Sequence, residues 1–518
     1  MPPEDQHTVE RFLEQALGGA VESVSTHISR LFMAGDRVFK LKRAVRFPYL
    51  DFSTPERRLA ACVAEVALNS RTAPALYRGA RRITREPGGA LAFDGGGDLV
   101  DAVVEMRRFP EADLFDAMAR DGRLGSNHIA DLAQALAAFH AGAEIHRAQG
   151  GAAAMAALVD MNDAALQATG LVPAETAEAL ATRFREVLDR HAKLLDARRA
   201  AGKVRRCHGD LTLRNICLFE GRPTPFDGIE FSDIIATIDV LYDLAFVLMD
   251  LWHRDRFDLA NLLLNRYLDA ADETDGIGLL PFLMAMRAVI RAHVTAAQAE
   301  GAPDAAARIA EARAYFDLAR RLLAGAPAIL LAVGGFSGSG KSSVAAAVAP
   351  WIGPAPGARI LSSDRVRKRL HGVGALTRLP ESAYDPAMSE RVYATLRQEA
   401  GRVLAAGHGA VADAVFDRGT ERASIEAVAR ARSVRFCGVW LEAPPATLAR
   451  RIAARTGDPS DATAAVLAAQ IARGCGPLAW DRLAADRPLA ALRTDIRSLC
   501  GRAEAPDAQP AMRGIPAD

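Results

Sequence analysis

The sequence predicts two domains of different class, a two-lobed α+β domain followed by an α/β domain with a mostly parallel sheet. Three observations carry this. At 518 residues the chain is longer than one ordinary hydrophobic core organises. Gly325 and Pro327 punctuate residues 323–328, where a helical pattern gives way to an apolar strand. On either side of that break lies a segment with the spacing of a phosphate-binding site, HGDLTLRN at 208–215 and GFSGSGKS at 335–342. The expected boundaries are 1–325 for the first domain, 326–502 for the second and 503–518 for a loose tail rich in Pro, Ala and Asp.

The first domain opens with a hairpin, because LFMA and RVFKLKR alternate in the manner of strands around Gly35-Asp36. Thr54-Pro55 starts a helix that runs to about Ser70. A second hairpin is expected over 91–109, with LAF and VDAVVEMRRF flanking DGGGD. Residues 113–199 and 239–324 are helical in pattern, and ICLFEGRPTPFDGIEF between them is strand-like. In the second domain a strand at Ile329–Val333 leads through a glycine loop into a helix from Lys341. Strands at Arg359–Leu361, Ala410–Asp413 and Val434–Leu441 then alternate with helices near Ser389–Ala405 and Pro445–Arg455. Strict alternation indicates a parallel sheet covered on both faces.

Composition narrows the function. Half of the residues are hydrophobic, a quarter are charged and the net charge is +1, a globular profile without a basic nucleic-acid surface or an acidic tail. The opening MPPEDQHTVE lacks the basic and apolar regions of a secretory leader. No apolar run is expected to span a membrane, since the segment Val240–Trp252 is interrupted by Asp243 and Asp250. Cys62, Cys207, Cys217, Cys437, Cys475 and Cys500 form no CxxC pair and stand beside no His at zinc-ligand spacing, which suits reduced thiols in the cytoplasm. Lysine is scarce: beside Lys193, Lys203 and Lys368 there are only Lys40, Lys42 and Lys341, and Lys341 and either Lys40 or Lys42 stand where a compact ammonium would meet phosphate.

HGDLTLRN has the interval of a kinase catalytic loop, Asp210 followed by Asn215, with Asp227 after a short hairpin. Asp210 would orient a substrate hydroxyl, and Asn215 and Asp227 would hold Mg²⁺. Lys40 and Lys42 share one face of a strand, and Glu65 is the better helical partner for their charge, Glu56 the weaker. A capped turn beside a buried His208 is the bland alternative for Asp210. The run CHGDLTLRNICLFEGRPTPFDGIEF, with Asp239 and Asp243 in IDVLYDLAF, resembles the aminoglycoside phosphotransferase family, relatives of protein kinases. The resemblance covers residues 20–320 and implies a bilobal protein-kinase-like fold, with Asp239 and Asp243 bracing the catalytic loop. It departs from kinases at the first turn, Ser25-Thr26-His27-Ile28-Ser29, which is not a glycine-rich loop.

The second segment, Gly335-Phe336-Ser337-Gly338-Ser339-Gly340-Lys341-Ser342, fits G-x-x-x-x-G-K-[ST] in full, between a strand and a helix that continues with Ser343. Loop amides and the helix N-terminus suit phosphate, Lys341 the outer phosphates and Ser342 a Mg²⁺ ion. Asp364 and Arg367 follow the second strand, Asp413 and Asp417 end a later one, and Arg450, Arg451 and Arg455 precede GDPSDA. This segment, over 328–500, resembles the P-loop kinases grouped with zeta toxins, polynucleotide kinases and gluconate kinases. The resemblance implies an α/β P-loop NTPase fold. Asp364 would orient the acceptor, Arg367 would hold it, and Arg451 and Arg455 would form a lid. Asp413 either holds the Mg²⁺ shell or caps its strand.

The expectation is a bifunctional ATP- and Mg²⁺-dependent kinase acting on small-molecule hydroxyl acceptors. One alternative keeps the P-loop domain active and makes the first domain a nucleotide-sensing regulator. Another is a polynucleotide 5′-hydroxyl kinase, with a local groove around Arg365, Arg367, Lys368 and Arg369, which the near-zero net charge disfavours.

Overall fold

The computed structural model describes residues 6–47 and 50–501. The chain divides between Ala324 and Gly325 into two compact units. The tail expected at 503–518 lies outside the described residues.

The first unit begins with helix α1 (His7–Leu17) and strands β1 (Glu22–Ser25), β2 (Ser29–Ala34) and β3 (Arg37–Lys42). Two short strands, β4 (Arg46–Phe47) and β5 (Leu50–Asp51), lead to helix α2 (Pro55–Asn69), whose first turn is capped by the Thr54 side chain. Strands β6 (Tyr77–Arg85), β7 (Leu91–Phe93) and β8 (Asp98–Arg107) complete a six-stranded sheet in the order β1-β2-β3-β8-β6-β7. Alternation along β3 divides its side chains between two cores. Phe39 and Leu41 join Val9 and Leu13 of α1, whereas Val38 packs with Cys62 of α2. Lys40 and Lys42 share the α2 side with Val38, which is how two ammonium groups come to lie inside the lobe.

The expected hairpin over 91–109 does not form. β6 lies between β7 and β8 and pairs with both. Its sequence, YRGARRITR, hides a strand behind four arginines. Arg78 and Arg81 find their counter-charges across the sheet, on Asp36 and Glu105.

The second lobe is helical. It comprises α3 (Phe115–Arg120), α4 (Ser126–Ala141), α5 (Gly151–Thr169), α6 (Ala174–Ala200), α7 (Asp233–Ala236), α8 (Val240–His253), α9 (Phe257–Ala270), α10 (Leu280–Ala297) and α11 (Ala305–Ala324). Strands β9 (Val204–Arg206) and β12 (Thr237–Asp239) pair antiparallel, as do β10 (Ile216–Phe219) and β11 (Arg222–Pro225). One segment corrects the expectation on apolar runs: Thr274–Ala297 is long and apolar enough to cross a membrane by length and composition. It packs as a core helix, with two thirds of its most apolar window buried (67 %) and Arg287 stacked on Tyr242 and Phe246 of α8.

The second unit follows the alternation read from its sequence: β13 (Ile329–Gly334), α12 (Lys341–Val348), β14 (Arg359–Ser362), α13 (Ser363–Leu370), α14 (Pro386–Ala405), β15 (Ala410–Asp413), α15 (Gly419–Ala431), β16 (Arg435–Glu442) and α16 (Pro445–Ala453). Three further elements, α17 (Ala464–Arg473), β17 (Asp481–Ala484) and α18 (Leu489–Leu499), complete it. All five strands run parallel in the order β14-β15-β13-β16-β17. Period-two alternation sends Ile329, Leu331 and Val333 to the core under α12 and α18, and Leu330 and Ala332 to the core under α14 and α15. Strand order reverses at β13, so the loop that follows it opens into the crevice where such sheets bind ligands.

Candidate active sites

In the first unit, β3 and α2 hold a buried charge cluster. Lys40 Nζ lies 2.9 Å from Glu65 Oε1 and also donates to Asp227 Oδ1. Lys42 Nζ donates to Glu65 Oε2 and to Glu230 Oε1. One helix carboxylate thus anchors both lysines, which settles the partner question in favour of Glu65; Glu56 stands exposed in the first turn of α2. Burial favours the neutral form of Glu65, yet Lys40 and Lys42 outweigh it and hold the carboxyl below its ordinary range. Asp227 behaves alike: burial acts upward, and Lys40 and Lys42 bring its carboxyl below the usual value.

The catalytic-loop segment is fixed from behind by Asp243 of α8. Its carboxylate accepts from His208 N at 3.2 Å and Gly209 N at 2.9 Å, and from the other side meets His140 Nε2 at 3.0 Å. His140 is tied in turn to the Tyr267 hydroxyl at 2.8 Å. Asp250 accepts from Leu213 N at 2.9 Å, while Asp239 caps α8 and pairs with Arg198. On this frame Asn215 Nδ2 donates to Asp210 Oδ2 at 2.8 Å and to Asp210 O at 2.9 Å. That use of the amide nitrogen leaves the Asn215 oxygen directed elsewhere. Burial pushes the Asp210 carboxyl up, opposed by His208, Arg291 and Arg287. Asp227 adopts φ 60°, and its N–H donates to the Tyr77 hydroxyl at 3.2 Å. Gly228 N donates to Asn69 Oδ1 at 2.8 Å. In the β1–β2 turn the Thr26 hydroxyl closes on Ser29, accepting from Ser29 N at 2.9 Å.

In the second unit the loop after β13 curls through left-handed backbone at Gly338 and Gly340, with φ 85° and 88°. The first turn of α12 leaves its amides without intrahelical acceptors and places them at the loop mouth. Ser337 N is held by Gln470 Oε1 at 2.8 Å, Phe336 packs edge-on against Trp440, and the buried Ser339 hydroxyl has no partner. Lys341 Nζ returns to Phe336 O at 3.2 Å, and Ser342 Oγ donates to Asp413 Oδ2 at 2.7 Å. Ser343 follows in the same turn, exposed. Asp413 is pushed up to about 6, by burial first, against the opposing Lys341 charge and the Ser342 hydrogen bond. Burial lowers Lys341, with Asp413 and Asp364 opposing and Arg455 adding to the effect, so these four groups share one field.

Arg367 of α13 is buried, stacks on Tyr384 at 4.6 Å and donates to Ala383 O at 2.8 Å. Arg451 reaches Ala485 O at 2.9 Å, and Arg455 leaves a buried Nη1 without a partner. Arg450 is exposed, and Asp417 is engaged by Arg473 at 2.7 Å. Sequence reasoning did not find Tyr77, Asn69, His140 or Gln470, whose roles are tertiary hydrogen bonds. It also missed Asp461, which joins the segment after α16 to α13 and the loop before α14 by accepting from Lys368, Leu379 N and Tyr384.

Both sites present the donor sets that phosphates and a hard cation need. Asn215 and Asp227 each keep a side-chain oxygen outside the Lys40 and Asp210 contacts, and the second loop offers amides, an unpartnered Ser339 hydroxyl and the Ser342–Asp413 pair.

Comparison with known proteins agrees with this division. A family model described as a phosphotransferase enzyme family matches residues 89–277, and one described as an AAA domain matches residues 330–477. Uncharacterized proteins of Mycobacterium tuberculosis and Mycobacterium bovis are 32 % identical over 466 residues, 88 % of this chain and 90 % of theirs. Among solved structures, a choline/ethanolamine kinase family protein of Mesorhizobium loti is similar at 16 % identity and TM-score 0.36, over 59 % of this chain and 93 % of its own. A gluconokinase of Sinorhizobium meliloti is similar at 23 % identity and TM-score 0.24, over 33 % and 90 %.

Proposed function

We propose a specific activity for a chain that belongs to the same family as these mycobacterial proteins and is an enzyme of the kinase type: each unit binds Mg-ATP and passes the γ-phosphoryl group to a hydroxyl on a small molecule. The observation that carries the proposal is the convergence, in each unit, of a lysine with the carboxylates phosphoryl transfer requires. Lys40 meets Glu65 and Asp227, and in the second unit Ser342, next to Lys341, donates to Asp413 at 2.7 Å.

In the first unit Lys40 would hold the nucleotide phosphates, with Glu65 fixing its position. Asn215 and Asp227 would supply oxygens to Mg²⁺, whose chemistry is to neutralise charge between the phosphates. Asp210, oriented by the Asn215 amide, would accept the acceptor's hydroxyl proton. In the second unit the loop amides and Lys341 would cradle the phosphates, and Ser342 with Asp413 would hold the cation. Asp364 and Arg367 would orient the acceptor, and Arg451 and Arg455 would close over the transferring group. Free, buried thiols at Cys62, Cys207 and Cys217 suit a reducing cytoplasmic setting.

The test uses the whole chain and two variants, Asp210→Ala and Lys341→Ala, with ATP consumption followed across a library of hydroxyl compounds and a 5′-hydroxyl oligonucleotide. Two separable acceptor profiles are expected, one lost in each variant. Turnover unchanged by Asp210→Ala would overturn the role given to the first unit.

A further inference from the structure

Helix α10 carries Arg287, Arg291 and Thr295 at i, i+4 and i+8, on one face. Arg287 is 3 % exposed, stacks on Tyr242 at 3.8 Å and on Phe246 at 4.6 Å, and donates through Nε to Tyr242 O at 3.2 Å. Its Nη2 is buried without a partner, as are the Tyr242 hydroxyl and Thr295 Oγ1. Arg291, half-buried, lies over Tyr315 at 5.7 Å. A guanidinium with a purely structural task would have its donors satisfied, because an unpaired buried donor is costly. Arg287 instead keeps one nitrogen for a group that the chain does not supply.

The charge balance around this pair is positive. Arg287 donates to Tyr242 O, next to the Asp243 carboxylate that holds His208 N and Gly209 N. Both Arg287 and Arg291 oppose the upward push of burial on the Asp210 carboxyl, so the pair borders the proposed transfer site. Several acids nearby are otherwise engaged. Asp227 and Glu65 hold Lys40, Glu230 holds Lys42, and Asp250 and Asp116 both bind Arg254.

Resting on the reading of the first unit as a kinase, we propose that its acceptor is an anion, a hydroxyl compound bearing a carboxylate or phosphate that Arg287 and Arg291 bind. A planar guanidinium matches either group in a forked geometry. A cationic acceptor would face the two like charges of Arg287 and Arg291.

The experiment uses the full-length Lys341→Ala chain, so that the second unit does not contribute turnover. Binding of glycerol phosphate, glycerate, glycerol and choline is measured by calorimetry, and ATP binding is measured separately. The expected result is that glycerol phosphate or glycerate binds ~10-fold or more tightly than glycerol, the scale of a charge-assisted contact. The two anions distinguish phosphate from carboxylate. Arg291→Glu, at the half-buried position, should abolish that preference and leave ATP binding in place; Arg287→Gln should weaken it where the variant folds. Anions binding no better than glycerol, tighter binding of choline, or an anion preference that survives Arg291→Glu would overturn the proposal. Failure of the chain to bind ATP would instead count against the kinase reading and leave the anion result standing by itself.

Discussion

Lys40 Nζ lies 2.9 Å from Glu65 Oε1 in the interior of the first lobe, and Glu65 is shared with Lys42. A fully buried carboxylate holding two ammonium groups is destabilising to break, because either partner is then left as an uncompensated charge. Glu65→Gln is therefore expected to cost about 3–5 kcal/mol in the first unit. Urea denaturation would measure it. Lys40→Met should abolish ATP-dependent transfer at the Asp210 site with a smaller loss of stability, since Lys42 still neutralises Glu65.

The loop of the second unit predicts a backbone effect. A Cβ on Gly338 would lie 2.5 Å from Leu448 O, and the residue has φ 85°. Both the clash and the left-handed backbone oppose a side chain there. Gly338→Ala is expected to weaken ATP binding at this site ~10-fold or more, the scale of a backbone strain of 1–3 kcal/mol. Calorimetry on the Lys40→Met background, with the first unit's phosphate-binding lysine removed, checks it; unaltered affinity would show that the loop tolerates another path.

Lys368 is 1 % exposed and its charge is met by Asp461, with Thr377 O at 2.5 Å as a further acceptor. Asp461→Ala leaves this ammonium without a counter-ion and should destabilise the second unit by about 3–5 kcal/mol. Adding Lys368→Met should recover most of the loss, because the stranded charge is removed. A double-mutant cycle by chemical denaturation measures the coupling.

His408 gives a pH signature. It is fully buried, its Nε2 donates to Gly357 O at 2.9 Å while Nδ1 has no partner, and burial lowers its pKa to about 4. The unfolded chain then binds the proton more readily than the folded one between the ordinary histidine value of about 6.5 and 4. Stability from this group is present above pH ~6.5 and lost as pH falls toward 4, a change on the order of 3 kcal/mol. Denaturation of wild type and His408→Gln at a series of pH values should show a flatter curve for the variant.

The parts of the sites legible in the sequence are those whose chemistry is set by contiguous residues. GFSGSGKS carries its own turn and helix start, and HGDLTLRN fixes the Asp210–Asn215 interval. Alternation along β3 placed Lys40 and Lys42 on one face, and α2 then presented Glu65 to both. What escaped was tertiary. Tyr77 sits in β6, whose arginines mask it as a strand. Asp461 lies in a loop, and Arg287 stands in a helix apolar enough to be overlooked as a site element. β17, Asp481–Ala484, is mostly exposed and carries no apolar run to register as a strand.

The central claim is two nucleotide sites on one chain, and the stoichiometry of Mg-ATP binding to the full-length protein tests it most directly. Calorimetry should give two equivalents for the wild type and one for Lys341→Ala. One equivalent for the wild type and none for Lys341→Ala would contradict it, since the Lys40–Glu65–Asp227 cluster would then hold no nucleotide.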